Sequence, residues 1–280
     1  MTLDSIKADN TLPLVLYKYT SIGSWLESLI AGDSIRFSTR TSFNDPFDCR
    51  PSFRVGKGVE VRRYINQGLK SRGMSPANRL MAISRASRLD PELFSTQATD
   101  HHLDNVGILC LAPMWDSALM WSHYSDHHKG ICIGFHRGID IFNTALKVIY
   151  QDELPVVTTP TDKGRELYDK VFLTKAKCWE YEQEWRIIKV AMNEEQRDAQ
   201  YRSLCCETSP ALAKSLSDQR GAGIYKFHKS AIESITLGMR FSEKDEERIK
   251  RAIDAAKLNI PIYRISPPVR SYTLSRSLRK

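Results

Sequence analysis

The stretch Lys177-Cys178-Trp179-Glu180-Tyr181-Glu182-Gln183-Glu184-Trp185-Arg186 sets two carboxylates, Glu182 and Glu184, two residues apart among aromatic side chains. A carboxylate in such surroundings is a setting for a shifted pKa and for acid–base or electrostatic work. Glu184 stands in such a setting. Its structural alternative is a surface or edge-strand carboxylate paired with arginine or lysine, while Arg186 reads as a partner in a structural ion pair with Asp45 or Asp48. A second polar segment is Ser42 to Asp48, Ser-Phe-Asn-Asp-Pro-Phe-Asp. Asn44, Asp45 and Asp48 there shape a turn by bonding their own backbone, or else line a ligand pocket. Two local carboxylates are too few for a Mg²⁺ site.

A third segment runs from Met120 to Phe135 and holds His123, His127 and His128. His123 and His127 are four apart, a helical metal spacing, but Tyr124 stands where a metalloprotease helix needs glutamate. Gly130 ends that helix, and cationic histidines suit its last turn through the helix dipole. No metal is expected. Trp121 and Tyr124 serve either as core aromatics or as ligand contacts, and a buried tyrosine hydroxyl needs a partner in both cases.

The six cysteines form no CxxC pair, and Cys205 and Cys206 are adjacent. That spacing argues against zinc and for free thiols in a reducing cytosol. Cys110 and Cys132 lie in apolar strands, where burial blunts a nucleophile. No apolar run is long enough to span a bilayer, and the first ten residues lack a secretory core. The expected location is cytoplasmic, without a membrane partner. The net charge of +8 fits nucleic acid, an anionic cofactor or plain solubility. Residues 266–280 carry Arg270, Arg276, Arg279 and Lys280 with no acid. They read as a frayed basic tail or as an arm for nucleic acid.

Elements must hold these groups in place. Strands are expected at Leu14–Tyr19, Ile35–Ser38, Asn105–Leu111, Gly130–Phe135, Leu146–Tyr150, Glu184–Ala191, Gly223–Phe227, Ser234–Gly238 and Ile260–Ile265. Ile22, Trp25, Leu26, Leu29 and Ile30 share one helical face, capped by Thr20 or Ser21. Asp116 caps a short helix holding Met120, Trp121 and Tyr124. Further helices fall near 163–174 and after Ser242, where Asp245 stands three residues on as in a capping box. Polar helical insertions occupy 59–99, with Leu80, Ile83 and Leu89 as anchors, and 193–220. Strands and helices intersperse without a βαβ rhythm. The expected fold is α+β, with a mixed or antiparallel core sheet, as one domain over 1–265 and a tail over 266–280.

Leu16-Tyr17-Lys18-Tyr19-Thr20-Ser21, Phe43-Asn44-Asp45-Pro46-Phe47-Asp48, Met120-Trp121-x-x-Tyr124 leading to Gly130-x-x-x-Gly134-Phe135, and Trp179-x-x-Glu182-x-Glu184-Trp185-Arg186 occur in this order. Together they resemble a bacterial family defined as domain of unknown function 2971. The last 90 residues add little to that resemblance. The chain also resembles, more faintly, ADP-ribosyltransferase-like folds. That likeness implies an opening strand with Lys18 where His or Arg stands, a second strand with Phe37-Ser38 at the Tyr/Ser position, and Glu184 as the late-strand catalytic carboxylate. It implies NAD as co-substrate. Lys18 and Thr20 would hold the adenosine ribose, with Ser38 and Asn44 beside the ligand. Tyr19, Trp121 or Tyr124 would meet its rings. A carboxylate fixed beside the ribose would stabilise the oxocarbenium-like state of nicotinamide release.

The implied function is a NAD-utilising transferase or glycohydrolase, a toxin or phage-defence component acting on a nucleic-acid or protein acceptor. Lys18 lacks the planar fork of arginine, and Phe37 cannot donate as tyrosine would. Both departures also fit a non-catalytic ligand-sensing or interaction module. The charge and the tail fit a nucleic-acid-binding accessory protein.

Overall fold

The computed structural model describes residues 12–55, 62–63, 66–67, 69–70, 73–86, 103–159, 162, 164–266 and 270–279. Leu89 and Lys280 lie outside them. The architecture is α+β, as the interspersed pattern predicts. The chain forms two compact units whose segments alternate along the sequence, one built from residues 1–38, 106–147 and 181–280 and the other from 39–105 and 148–180. Part of the 59–99 stretch, expected as an insertion into one domain, falls in the second unit.

The first unit rests on a five-stranded mixed sheet. β1 (Val15–Thr20) and β5 (Ile131–His136) pair antiparallel, and β5 pairs antiparallel with β12 (Ile232–Leu237). β12 runs parallel to β13 (Ile262–Ser266), which pairs antiparallel with β14 (Ser275–Arg279). A smaller sheet places β10 (Trp185–Lys189) between β4 (Gly107–Leu111) and β6 (Leu146–Lys147). β2 (Ile35–Phe37) pairs with β11 (Gly223–Tyr225). Period-two alternation assigns the faces. Ile131, Ile133 and Phe135 of β5 and Ile235 and Leu237 of β12 enter the main core, together with Leu109, Leu111, Trp185 and Ile187. Tyr17, Tyr19 and Cys132 face the opposite way, into a second cluster around Trp121.

Helix α1 (Leu26–Ile30) buries Leu26, Leu29 and Ile30, but it starts after Trp25 without a side-chain cap. The expected Thr20 or Ser21 cap is corrected: the chain stays extended through Thr20 to complete β1. The helix holding Trp121 is α3 (Ala118–Tyr124), and its cap is Ser117, not Asp116. α5 (Glu194–Leu204) and α6 (Pro210–Ser217) fill the expected polar helical stretch. α7 (Glu243–Ala255) starts at Ser242, whose hydroxyl accepts from Asp245 N, and it buries Ile249, Ala252 and Ile253. The expected frayed tail is also corrected, since residues 275–279 are β14.

The second unit contains α2 (Pro76–Ala86), α4 (Gly164–Phe172) and two parallel pairs, β3 (Ser52–Val55) with β8 (Val156–Thr159) and β7 (Ile149–Gln151) with β9 (Thr174–Ala176). The strand expected over Leu146–Tyr150 breaks at buried Val148 into β6 and β7. Among the described residues no helix is long and apolar enough to cross a membrane.

Two tests probe the first unit. A Cβ on residue 238 would stand 2.1 Å from the backbone oxygen of His128. Gly238→Ala is expected to cost about 2 kcal/mol in urea unfolding, in the range of overpacking. Gly138→Ala, with nothing within 4 Å of its added carbon, should stay within about 0.5 kcal/mol. Lys189 is buried, donates from Nζ to Ser215 O at 2.9 Å, and burial lowers its pKa to about 8. Between that value and the unfolded value near 10.4, the unfolded chain holds the extra proton. Stability therefore rises with pH across this window. Wild type should gain on the order of 3 kcal/mol over Lys189→Met from pH 8 to 10.5, as read by urea midpoints at each pH.

Candidate functional site

β10 carries the centre of the site. Trp185 and Ile187 face the main core, so Arg186 faces the other way, opposite Cys110 in the register with β4. Arg186 is fully buried. Its Nε donates to Glu184 Oε1 at 2.8 Å and its Nη2 to Glu184 Oε2 at 2.9 Å. This is the bidentate geometry that fixes a carboxylate in place. Glu184 is itself buried, at 3% exposure, directly before the strand begins. It is a clamped interior carboxylate, where the sequence alternative expects a surface one.

Lys18 of β1 belongs to the same neighbourhood. Burial pulls its ammonium pKa down, while Cys110 and Glu184 pull it back up. The opening strand and the residue before β10 thus meet electrostatically across 166 residues of sequence. β1 reaches β4 through mutual hydrogen bonds between Tyr17 and Ala112. Thr20 ends the strand, and its hydroxyl donates to Ser21 O.

Ser38 sits elsewhere. It pairs with Ile108 on the edge of β4 away from β10, whereas Glu184 precedes Trp185, the partner of Leu111. Four residues along β4 and two strand spacings across put their Cα atoms about 16 Å apart. The second strand and the Glu184 carboxylate do not share hydrogen-bond reach. Asn44 belongs to the second unit, in the turn where Phe47 N donates to Asp45 Oδ1 at 2.8 Å. Asp45 shapes that turn as its residue type predicts. In the same unit Asp48 lies 3.6 Å from Lys175, whose ammonium stands 5.2 Å from the centroid of the Trp179 ring. Lys175 carried no sequence signal.

The aromatic candidates sit in the second cluster. Tyr19 meets Trp121 edge-on with centroids 5.3 Å apart, and its hydroxyl donates to Met114 O. Trp121 is fully buried, donates from Nε1 to Trp115 O at 2.7 Å and stacks on His128. Both rings are packed on their neighbours, as core aromatics are. Tyr124 links two motifs: its hydroxyl donates to Glu182 Oε1 at 2.6 Å. Glu182 and Glu184 therefore divide their work, one tied to α3 and the other clamped by Arg186. The expected late strand is corrected: Glu182 ends a 3₁₀ turn, Lys177–Glu182, Gln183 turns the chain at φ 45°, and the strand begins only at Trp185.

After α3 the chain passes through three non-glycine residues at positive φ: Asp126 at 47°, His127 at 54° and His128 at 69°. Left-handed backbone costs roughly 1–2 kcal/mol for each such residue. The turn is held by bonds from Gly130 N to Ser125 O and from Arg240 N to His128 O. The expectation that His127 and His128 occupy the last helical turn is corrected, since α3 ends at Tyr124. Burial, Arg240 and His127 lower the His128 pKa, which favours the neutral ring that stacks on Trp121. Burial also raises the Cys132 thiol well above its ordinary value, which removes it as a nucleophile.

This geometry joins α3 to β10. Residues 120–187, the segment containing both, match the model of a family described as protein of unknown function (DUF2971). Over those residues the chain resembles that family. No curated protein and no solved structure matches the chain. The Tyr124–Glu182 bond and the Glu184–Arg186 clamp both lie inside the matched segment.

Tyr124→Phe is expected to lower stability by about 1–3 kcal/mol, because it removes a donor from a buried carboxylate. Tyr272→Phe, on an exposed ring, should leave the thermal midpoint unchanged.

Proposed function

We propose that the Lys18–Glu184 neighbourhood binds a nucleotide ligand and that the chain turns over NAD there, as an ADP-ribosyltransferase-like transferase or glycohydrolase. One observation carries this reading: Tyr17, next to Lys18, bonds to Ala112, the residue after Leu111, and Leu111 pairs with Trp185, which Glu184 directly precedes. Lys18 and Glu184 are two of the three positions that the resemblance requires in one cleft; the third, Ser38, stands about 16 Å from Glu184 by strand spacing. Glu184 would supply the fixed negative charge beside the ribose as nicotinamide leaves. A carboxylate held rigid by Arg186 needs no reorganisation as positive charge develops. Lys18 would offer its cation to the diphosphate. The acceptor would be a protein or a nucleic acid, in a cytoplasmic toxin or defence setting.

A second reading, a non-catalytic ligand-sensing module on the same scaffold, draws on the clamp itself. Both Glu184 oxygens are engaged by one guanidinium, and Ser38 stands apart. The nucleic-acid alternative loses ground because Arg276 and Arg279 of the basic segment make contacts within the first unit.

Nicotinamide release from NAD by the purified chain, beside Glu184→Gln, separates these readings. The enzyme reading expects release that the substitution lowers by about 100-fold or more, compared at a temperature where urea unfolding shows both proteins still folded, because the substitution also takes the Glu184 charge away from buried Arg186. Calorimetric NAD binding without release, equal in both proteins, would select the sensing module. Neither binding nor release would end the NAD reading.

A further inference from the structure

The sheet face that carries Tyr17 and Cys132 holds a polar cluster outside all the motifs above. Arg276 of β14 lays its guanidinium between two rings, 4.0 Å from the centroid of Tyr263 and 4.4 Å from that of Trp115. Its Nη1 donates to Thr236 Oγ1 at 2.9 Å. A planar cation between aromatic faces is the arrangement that recognises guanidinium groups.

Beside this box the register between β5 and β12 slips between Ile232 and Ser234. Such a bulge re-aims side chains. Glu233 and Ser234 are both brought over Gly134: a Cβ there would stand 2.8 Å from Glu233 Oε2 and 3.0 Å from Ser234 Oγ. Both oxygens are buried without a hydrogen-bond partner, and Ser234 is wholly buried. The Tyr17 ring meets the same point, its Cε1 3.1 Å from that Cβ. The cluster offers more acceptors than Arg276 uses.

The strand that delivers Arg276 is lightly held. Among the described residues β14 pairs with β13 alone, at the edge of the sheet, and four of its five residues are exposed. Its remaining anchors are buried Leu274 just before it and the contact of Arg279 with Glu246. An edge strand with so little burial opens at low cost, and the β13 edge beneath it is a template for an added strand.

We propose that the Trp115–Tyr263 box is a recognition site for an arginine presented on an extended segment, with Arg276 as its resident occupant, and that a partner segment of this kind displaces β14 and pairs with β13 in its place.

The test uses the full chain and a labelled peptide, Thr-Leu-Ser-Arg-Ser-Leu-Arg, which repeats residues 273–279. By fluorescence anisotropy Arg276→Ala should bind it at least about tenfold more tightly than wild type, because the resident side chain no longer competes. Replacing the peptide's first arginine with glutamine should abolish binding. Arg276→Lys keeps the charge but loses the planar fork, so it should fall between the two and serves if the alanine variant does not fold. Equal affinity for wild type and variants, binding that survives the glutamine replacement, or no binding to any variant would each overturn the proposal.

Discussion

A fully buried guanidinium sets the terms for the first unit. Arg186 has no access to water, and a buried charge persists only when it is paired and hydrogen-bonded. Glu184 pairs with it, so the two residues before and within β10 cannot move independently of each other. The strand that carries them must then be interior, and it is: β10 bonds to β4 on one side and β6 on the other. The same requirement explains the split character of the strand. Trp185 and Ile187 supply apolar burial on one face, while the alternate positions hold the charges together on the other.

Once β10 is fixed, its N-terminal approach is fixed too. Glu182 lies two residues before Glu184 and receives the Tyr124 hydroxyl, which orients α3. The Trp121 ring then packs on Tyr19 and His128, and the strained left-handed turn at Asp126–His128 follows as the short route from α3 into β5. The strain is tolerated because backbone bonds from Gly130 and Arg240 hold the turn at both ends. Tyr124, Trp121, Glu182 and Glu184, noted in the sequence for their chemistry, are first of all the residues that lock α3, β1 and β10 together.

Period-two and helical patterns made β1, β5, β10, β12 and α7 legible, because each has one strongly apolar face. The strands β3, β8 and β9 were not, being short and lacking a long alternating run. β14 was hidden for another reason. Its sequence, Ser-Arg-Ser-Leu-Arg, is polar because only Arg276 of its five residues is shielded from solvent, and nothing in it distinguishes an edge strand from a solvated tail. The clamp was not legible: the pattern suggests one strand through Glu182, Glu184 and Arg186, but a 3₁₀ turn and Gln183 at positive φ break it before Trp185, and the partner of Glu182, Tyr124, is more than fifty residues away. The separation of Ser38 from Glu184 was not legible at all, since it follows from the register of β4 with two different neighbours.

Two arginines in this unit illustrate how the same side chain serves opposite ends. Arg186 is paired with a carboxylate away from water, and breaking such a pair leaves an uncompensated charge that costs roughly 3–5 kcal/mol. That contact is permanent on the timescale of folding. Arg276 rests between two rings at the edge of a sheet, where a cation–π contact contributes about 0.5–2 kcal/mol and water can solvate the guanidinium if it leaves. The difference lies in desolvation: the charge that cannot return to water without unfolding the sheet builds the scaffold, and the charge that can return is free to be exchanged.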